Sequence, residues 1–335
     1  LTLAVPKGSD WSVNVADARR YRGDIDLMIN EDGTLTVVND LWIEHYLYSV
    51  VSAEIGPTSP MEALKAQAVA ARTFAVAKIE RGVATNSFFD FYDTTITQAY
   101  PGRQVESQEV KRAVDETRGQ ILIHEGEPID AVYSHSCGGY VASSEEVWGG
   151  TPDGYFFRHP DRLDGAAAPD LSNWSQVWEF LTTSPPALCN PNQPGFPEYA
   201  RRYYRWEKRF TGEEFTRQAN ARYGTGTVRD VVIDTRTPSG RVRSVRIIGS
   251  RKTVTITREL EMRAALGDIN STLFALGKDI DDEGNLKSLR IVGGGVGHGV
   301  GMCQVGALTM ARQGYNYRQI LAFYYRDVKM RTLYR

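Results

Sequence analysis

The sequence has few of the features that would place it in a specialised class of protein. Its three cysteines, Cys137, Cys189 and Cys303, are too few for a disulfide scaffold and lack the C-x-x-C pairs of structural zinc sites. No run reaches the roughly 18 apolar residues of a membrane helix, so no membrane segment is expected in this chain. The formal net charge of -2 gives no electrostatic case for binding nucleic acid. What remains is an ordinary globular composition over 335 residues, enough for two domains or one domain with an insertion.

The N-terminal part of the chain alternates between strand and helix patterns. Residues 24 to 38 alternate in hydrophobicity around Asp32-Gly33, which predicts a half-buried β-hairpin. From Ile43 apolar residues recur at helical intervals, and the helix must end by Gly56-Pro57 because proline disfavours helix in the residue before it. Glu54 is therefore expected in the last turn of this helix.

A second helix follows at once. Ser59 is expected as its N-cap, Pro60 as its first residue and Glu62 as the partner in a capping box, with Gly82 ending the helix. Its small-residue face predicts close packing against a neighbour. Lys65 and Arg72 lie seven residues apart on one side, and two such basic residues are ordinarily a solvated surface.

Residues 155 to 288 differ from the rest of the chain. Proline-rich joints come first, then alternating strands, a pattern typical of an inserted domain. RRYYRWEKRF (201 to 210) mixes arginine with aromatic residues, as proteins that bind single-stranded nucleic acid do, but strand alternation explains it more simply. The predicted fold class is α+β: a mixed helix and antiparallel-strand core from residues 1–154 and 289–335, with a strand-rich second domain at 155–288.

Near the C-terminus, GGGVGHGVGMCQVGA (293 to 307) places seven glycines around His298. The spacing matches neither the G-x-G-x-x-G of dinucleotide sites nor the Gly-Lys-Ser/Thr of ATP sites. The pattern predicts a strand at 289–292, a glycine loop, and a helix from Cys303 onward. Glycines let a ligand or another chain segment approach the backbone, so the loop is either part of a binding site or a tight turn packed against a neighbour.

Three long segments together resemble the stage II sporulation protein D family. They are YLYSVVSAEIGPTSPMEALKAQAVAARTFAV (46 to 76), ETRGQILIHEGEPIDAVYSHSCGGYVASSEEVWGG (116 to 150) and GHGVGMCQVGALTMARQGYNYRQILAFYY (297 to 325). The resemblance covers most of residues 35–150 and 289–328. It implies a lytic transglycosylase that cuts the glycan strands of peptidoglycan and prefers strands without stem peptides. It also implies an extracytoplasmic, cell-envelope location, with any membrane anchor in a segment outside this chain, and a cell-wall amidase as a candidate partner.

The resemblance also implies site residues. Glu54 matches the family's catalytic glutamate, and Lys65 and Arg72 occupy the motif's basic positions, where we expect them to bind substrate carboxylate or acetamido groups. The other expected groove residues are Tyr100, Ser134, His135, His298 and Gln304. Cys303 departs from the family, in which serine is common at this position, so a role that depends on a hydroxyl group there is in doubt.

One glutamate can suffice for this chemistry. Ordinary glycosidases need two carboxyl groups, but here the C6 hydroxyl of muramic acid is the nucleophile, so Glu54 can act first as acid and then as base. Apolar burial by Val50, Val51 and Ile55 is expected to keep its carboxyl group partly protonated. No cofactor is required by this scheme.

Alternatives remain at two points. The chain could be a non-catalytic glycan-binding enhancer of a cell-wall amidase, or a structural wall-binding module. In an extracytoplasmic protein Cys137 and Cys189 are expected to form a disulfide. The minority alternative is a zinc ion held by His135, Cys137 and Cys189, and any such ion is expected to be structural.

Overall fold

The computed structural model describes residues 2–3, 19–82, 89–94, 97–165 and 167–334, and the chain divides into two compact units. Unit 1 comprises residues 1–132, 315–322 and 327–335, and unit 2 comprises residues 133–314 and 323–326. The α+β class predicted from the sequence is confirmed. The domain boundaries predicted at 154/155 and 288/289 differ from these divisions and stay a prediction. Within the described ranges, no helix has the length and apolar character needed to span a bilayer.

Unit 1 combines three-helix packing with short antiparallel sheets. Its helices are α1 (Ile43–Ile55), α2 (Met61–Glu80), α3 (Gln108–Glu116) and the start of α10 (Tyr317–Tyr324), with a 3-10 turn at Arg103–Val105. Its strands are β1 (Thr2–Leu3), β2 (Arg19–Arg20), β3 (Asp24–Ile29), β4 (Leu35–Asp40), β5 (Gln120–His124), β6 (Glu127–Pro128) and β17 (Lys329–Thr332). Strands β1–β2 and β3–β4 form two-stranded pairs, and the third sheet has the order β17-β5-β6.

Helix α2 is the centre of unit 1. Its alanine-rich face is buried and packs against α1, α3 and β5, as its small residues predict. The predicted cap is wrong: Pro60 is the N-cap, and the Ser59 hydroxyl donates instead to the Ile55 carbonyl at 2.6 Å. That bond closes the turn between α1 and α2, so the serine serves the end of one helix and not the start of the next.

The β3–β4 hairpin is confirmed, and the amide of Gly33 closes its turn onto the Asn30 carbonyl at 2.9 Å. The predicted half-burial of its apolar face is wrong. Four apolar side chains remain more than half exposed: Leu27, Ile29, Leu35 and Val37. Alternation fixes which residues share a face of a strand, but whether another element covers that face depends on distant parts of the chain.

Unit 2 is richer in strands. Its strands are β7 (Tyr133–Ser134), β8 (Tyr140–Val141), β9 (His159–Pro160), β10 (Arg205–Thr211), β11 (Val228–Arg236), β12 (Val242–Gly249), β13 (Thr253–Ile256), β14 (Phe274–Ile280), β15 (Leu286–Gly294) and β16 (Met302–Cys303). Its helices are α4 (Ser144–Trp148), α5 (Trp174–Thr183), α6 (Arg201–Tyr204), α7 (Gly212–Tyr223), α8 (Glu259–Ala265), α9 (Gln304–Arg312) and the end of α10, with a 3-10 turn at Glu198–Ala200.

Two three-stranded antiparallel sheets organise unit 2, with the orders β10-β15-β14 and β11-β12-β13. The main core lies between them and helices α7 and α8, and includes Phe215, Val231, Ile247 and Phe274. The predicted strand at 201–210 is correct only from Arg205, because the four residues before it form α6. The predicted strand, glycine loop and helix near the C-terminus are confirmed as β15, residues 295–301 and α9.

Candidate active site

Glu54 lies in the last turn of α1, as predicted, with a half-buried side chain. Its Oε1 accepts a hydrogen bond from the Ala99 amide at 3.1 Å. The helix ends directly after it because Gly56 has a φ of 90°, a value that a residue with a side chain rarely adopts. Val50 and Val51, one turn before Glu54 on the helix, are fully buried. One oxygen of the carboxyl group is thus fixed by the backbone of the segment around Ala99.

That segment also carries Tyr100, whose ring is buried against Tyr46 at a centroid distance of 5.3 Å. The Tyr100 hydroxyl donates to Asn39 Oδ1 at 2.8 Å. Burial, followed by the negative charge of Glu54, raises the pKa of Tyr46. Tyr100 therefore supports the Glu54 region by packing, and its ring has little surface for a sugar.

Lys65 and Arg72 do not converge on Glu54. Lys65 Nζ lies 2.6 Å from Glu116 and 3.3 Å from Glu62 on the surface of unit 1. Arg72 is fully buried, and its guanidinium donates to both oxygens of Glu44, at 2.9 and 2.6 Å. It also donates to the backbone carbonyls of Gln120 and Val114. In this structure Arg72 has no surface for a substrate, and its contacts are those of a residue that stabilises the fold.

In unit 2, the YSHSCGG loop and the glycine loop come together. Strands β7 and β16 pair in parallel, Ser136 pairs with Val296, and the Val305 amide donates to the His135 carbonyl at 3.1 Å. A Cβ at Gly295, whose φ is 78°, would lie 2.4 Å from the Ser136 carbonyl oxygen. At Gly295 the absence of a side chain lets another segment of the chain approach the backbone. This agrees with the interpretation of the loop as a tight turn packed against a neighbour.

His298 is held at both ring nitrogens. The Val300 amide donates to Nδ1 at 3.1 Å, so Nε2 carries the hydrogen and donates to the Tyr133 carbonyl at 2.9 Å. Burial, followed by the charge of Arg241, lowers the pKa of His298 to about 4. The imidazole is therefore neutral near pH 7, and it joins the two loops while its ring lies 5.1 Å from that of Trp148.

The other predicted groove residues of unit 2 lie in the same place. Ser134 and Gln304 are buried, and His135 is half-buried with its ring edge against Tyr203. Burial and then the charge of Arg202 lower the pKa of His135. The Ser134 hydroxyl and His135 Nε2 are buried without a hydrogen-bond partner within the described chain. Such atoms ordinarily bind a water molecule or a ligand, so this loop is suited to accept one.

The cysteines converge, but Asp161 and Cys303 lie beside Cys137 and Cys189 in place of the predicted His135. Within the described residues, ligand atoms of Cys137, Cys189, Cys303 and Asp161 lie within 4.8 Å of one another, and all four residues are buried. His135 is not part of this group. Cys137 Sγ and Cys189 Sγ are 3.7 Å apart, so they are not joined in a disulfide in this structure.

Two residues of this region were not predicted from the sequence. Asp161 stands in an ordinary HPDR stretch, and Arg241 follows a Ser-Gly turn, where arginine is common. Only the fold brings both next to the cysteines. The signal that was visible in the sequence was Cys303, which stands where the resemblance implied a serine.

Comparison with known proteins places the chain in a family. The family described as "Stage II sporulation protein" (SpoIID) matches residues 31–124, and a domain of unknown function (DUF8618) matches residues 142–301. An uncharacterized protein of Brachyspira hyodysenteriae is 32% identical over 310 residues, which cover 92% of this chain and 71% of the relative.

Two proteins of Bacillus subtilis are also similar. The stage II sporulation protein D is 27% identical over 309 residues, covering 88% of this chain and 75% of the relative. The amidase enhancer is 30% identical over 299 residues, covering 83% of this chain and 39% of the relative. The family match at residues 31–124 includes the first of the three segments that carry the resemblance, and the chain belongs to the stage II sporulation protein D family.

Proposed function

We propose that this chain is a lytic transglycosylase that cleaves the glycan strands of peptidoglycan, prefers strands without stem peptides, and uses Glu54 as its single acid and base. Membership of the SpoIID family and similarity to a protein named amidase enhancer support a role related to the cell wall. The proposal assigns an extracytoplasmic location, where peptidoglycan is found. The net charge of -2 gives no reason to assign a nucleic acid as partner.

The observation that carries the enzymatic proposal is the placement of Glu54. Its carboxyl group stands at the end of a rigid helix, half-buried, with one oxygen fixed by the Ala99 amide. A general acid needs a defined position and an environment less polar than water. Lys65 and Arg72 form their ion pairs with other glutamates and not with Glu54.

The reaction needs only this one carboxyl group. Glu54 donates its proton to the glycosidic oxygen as the bond from that oxygen to muramic acid C1 breaks. The resulting carboxylate then accepts the proton of the muramic acid C6 hydroxyl as the C6 oxygen bonds to C1. The products are a glycan with an anhydromuramyl end and one with a free hydroxyl group. No water is consumed, and Glu54 is returned in its protonated form.

The alternative is that the chain binds glycan and stimulates a cell-wall amidase without cleaving the strand. Its support is the relative named amidase enhancer. The two functions differ in one observable: the enzyme releases anhydromuramyl products when it is incubated alone with peptide-free glycan, whereas the enhancer binds the same glycan and releases nothing.

The test is the substitution Glu54→Gln, compared with Glu80→Gln, an exposed glutamate at the end of α2. The amide keeps the shape of the side chain but transfers no proton, so we expect product release to fall by at least about 100-fold. Glycan binding and the melting temperature should match the wild type, and Glu80→Gln should cleave normally. Undiminished turnover by Glu54→Gln would remove the catalytic assignment. Binding without release by the wild type would refute the enzyme and support the enhancer.

A further inference from the structure

Four potential metal ligands meet in the interior of unit 2. The Sγ atoms of three cysteines and a carboxylate oxygen all lie within 4.8 Å of one another, and every one of these residues is almost fully buried: Cys137, Asp161, Cys189 and Cys303. They come from four separate segments. Cys137 follows β7, Asp161 follows β9, Cys189 lies between α5 and α6, and Cys303 ends β16 as the N-cap of α9.

Hydrogen bonds fix the orientation of these side chains. Asp161 Oδ1 accepts from the Tyr324 hydroxyl at 2.8 Å, and Oδ2 accepts from the Cys189 amide at 3.0 Å. The Cys137 amide lies 3.3 Å from the Cys303 sulfur. Partners that hold the ligands of a metal are typical of built sites, because they set the direction of each donor atom before the ion arrives.

The distance between two of the sulfurs excludes a disulfide and is compatible with a metal site. Bonded sulfurs are about 2.05 Å apart. Two thiolates bound to one tetrahedral zinc ion at about 2.3 Å each must be about 3.8 Å apart. The observed separation of Cys137 Sγ and Cys189 Sγ is 3.7 Å, the edge of such a tetrahedron.

The surrounding charges fit the same interpretation. Three thiolates and a carboxylate carry four negative charges, and burying unpaired anions is costly. A divalent cation neutralises two of these four negative charges, and two guanidinium groups lie beside the cluster to balance the other two. Arg241, fully buried, donates to the Cys137 carbonyl at 3.2 Å, and Arg205 donates to the Gly138 carbonyl at 2.9 Å.

We propose that unit 2 binds a structural zinc ion through Cys137, Asp161, Cys189 and Cys303. Four protein ligands close the coordination shell, as in structural and not catalytic zinc sites. The ion would join the YSHSCGG loop, the segments around Asp161 and Cys189, and the start of α9. This assignment replaces His135, a ligand in the set predicted from the sequence, and is independent of the proposed transglycosylase activity.

The test compares two variants of the full chain, purified without chelators, by metal analysis. Cys303→Ser removes a ligand and should weaken zinc affinity by at least about tenfold, the loss typical even for a residue that only supports a ligand, so that zinc is lost to a competing chelator that the wild type withstands. His135→Ala is the matched control, since it alters the same loop, and should keep the wild-type zinc content. Loss of zinc in His135→Ala with retention in Cys303→Ser would overturn the ligand set.

A second measurement needs no variant. X-ray absorption at the zinc edge of the wild-type chain should show mainly sulfur scatterers at about 2.3 Å. A wild-type chain that neither carries zinc nor takes it up from solution, or one in which peptide mapping finds a disulfide between Cys137 and Cys189, would overturn the proposal.

Discussion

At the scale of single residues, the pair of Arg72 and Glu44 shows how a motif position can act without touching a substrate. The two side chains are buried and share two hydrogen bonds, and Glu44 also accepts from the Gly119 amide and the Tyr334 hydroxyl. Removing one member of a buried pair leaves an uncompensated charge, which costs far more than the pair itself contributes. The basic residue in the α2 motif therefore has a structural reason to be there.

We predict that Arg72→Ala lowers the free energy of unfolding by about 3–5 kcal/mol, because Glu44 would be left buried without its cation. Lys65→Ala is the control on the same helix. Its ion pairs lie at the surface, so that change should cost about 1 kcal/mol or less. Chemical denaturation of both variants at neutral pH provides the comparison. Equal losses would show that the burial of Arg72 is not what matters.

The same pair predicts a pH dependence. Burial on its own raises the pKa of Glu44, but the hydrogen bonds and charge of Arg72 outweigh it and hold this pKa below its ordinary value of 4.5. A lowered folded-state pKa means that the stabilisation is complete well above pH 4.5 and is lost as the pH falls through the folded-state value. The stability difference between wild type and Arg72→Ala should therefore narrow on acidification. A difference that stays constant or widens at low pH would contradict the assignment.

Sequence reasoning reached some of these residues and not others. Glu54 could be placed in the last turn of its helix because Gly56-Pro57 ends that helix locally. The partner of Arg72 could not be predicted, since Glu44 lies on another helix and nothing in its neighbourhood marks it. Asp161 was missed for the same reason: its proximity to the cysteines exists only after segments far apart in sequence have packed together.

At the scale of elements, the glycine loop can be tested through its fit to a buried arginine. Gly299 has a φ of 70°, and a Cβ there would lie 1.6 Å from Arg241 Nη2. Arg241 is fully buried, so its guanidinium group would have to shift within the protein interior to admit that Cβ. We predict that Gly299→Ala destabilises the protein by about 3 kcal/mol or more, through backbone strain together with overpacking.

The control for this prediction is Gly314→Ala, just beyond α9. Gly314 also has a positive φ, 93°, but no atom lies within 4 Å of a Cβ built there. Only the backbone strain of about 1–2 kcal/mol should remain. Thermal unfolding of the two variants separates strain from packing. If both lose the same stability, contact with Arg241 has no part in the effect.

The elements themselves were largely predictable where the signal is local. Helices α1 and α2, the β3–β4 hairpin and the β11–β12 hairpin with its Ser239-Gly240 turn follow from periodicity and turn residues. The predictions failed where the outcome depends on a contact with another element of the chain. The Ser59 hydroxyl bonds to the preceding helix, and the apolar side chains of β3–β4 stay more than half exposed; a local pattern encodes neither outcome.

At the scale of the whole molecule, each unit is assembled from segments distant in sequence. In unit 2, β10 pairs with β15 and β7 with β16, so strands from both ends of that unit meet. The sequence indicated a change in composition and residue pattern near residue 155, but it did not indicate which strands pair. Composition and alternation indicate which secondary structure a segment favours, whereas strand pairing depends on which other segment of the chain is available.

For the molecule as an enzyme, we predict that the purified chain alone releases anhydromuramyl products faster from strands stripped of stem peptides than from intact peptidoglycan. A stem peptide is a bulky substituent on the sugar that must react, so its removal eases access to the carboxyl group of Glu54. Mass spectrometry of both digests, with Glu54→Gln as the blank, measures the preference. Equal rates, or faster release from intact material, would refute it.

The pairing of β17 with β5 in unit 1 has a consequence for how the protein is made. Strand β5 has β6 on one side and β17 on the other. About 200 residues separate β5 from β17, which corresponds to roughly ten to forty seconds of synthesis on the ribosome. Throughout that interval one edge of β5 has no partner, although its neighbours in sequence have already emerged. During that interval the newborn chain exposes an open strand edge, which gives a chaperone time to bind there.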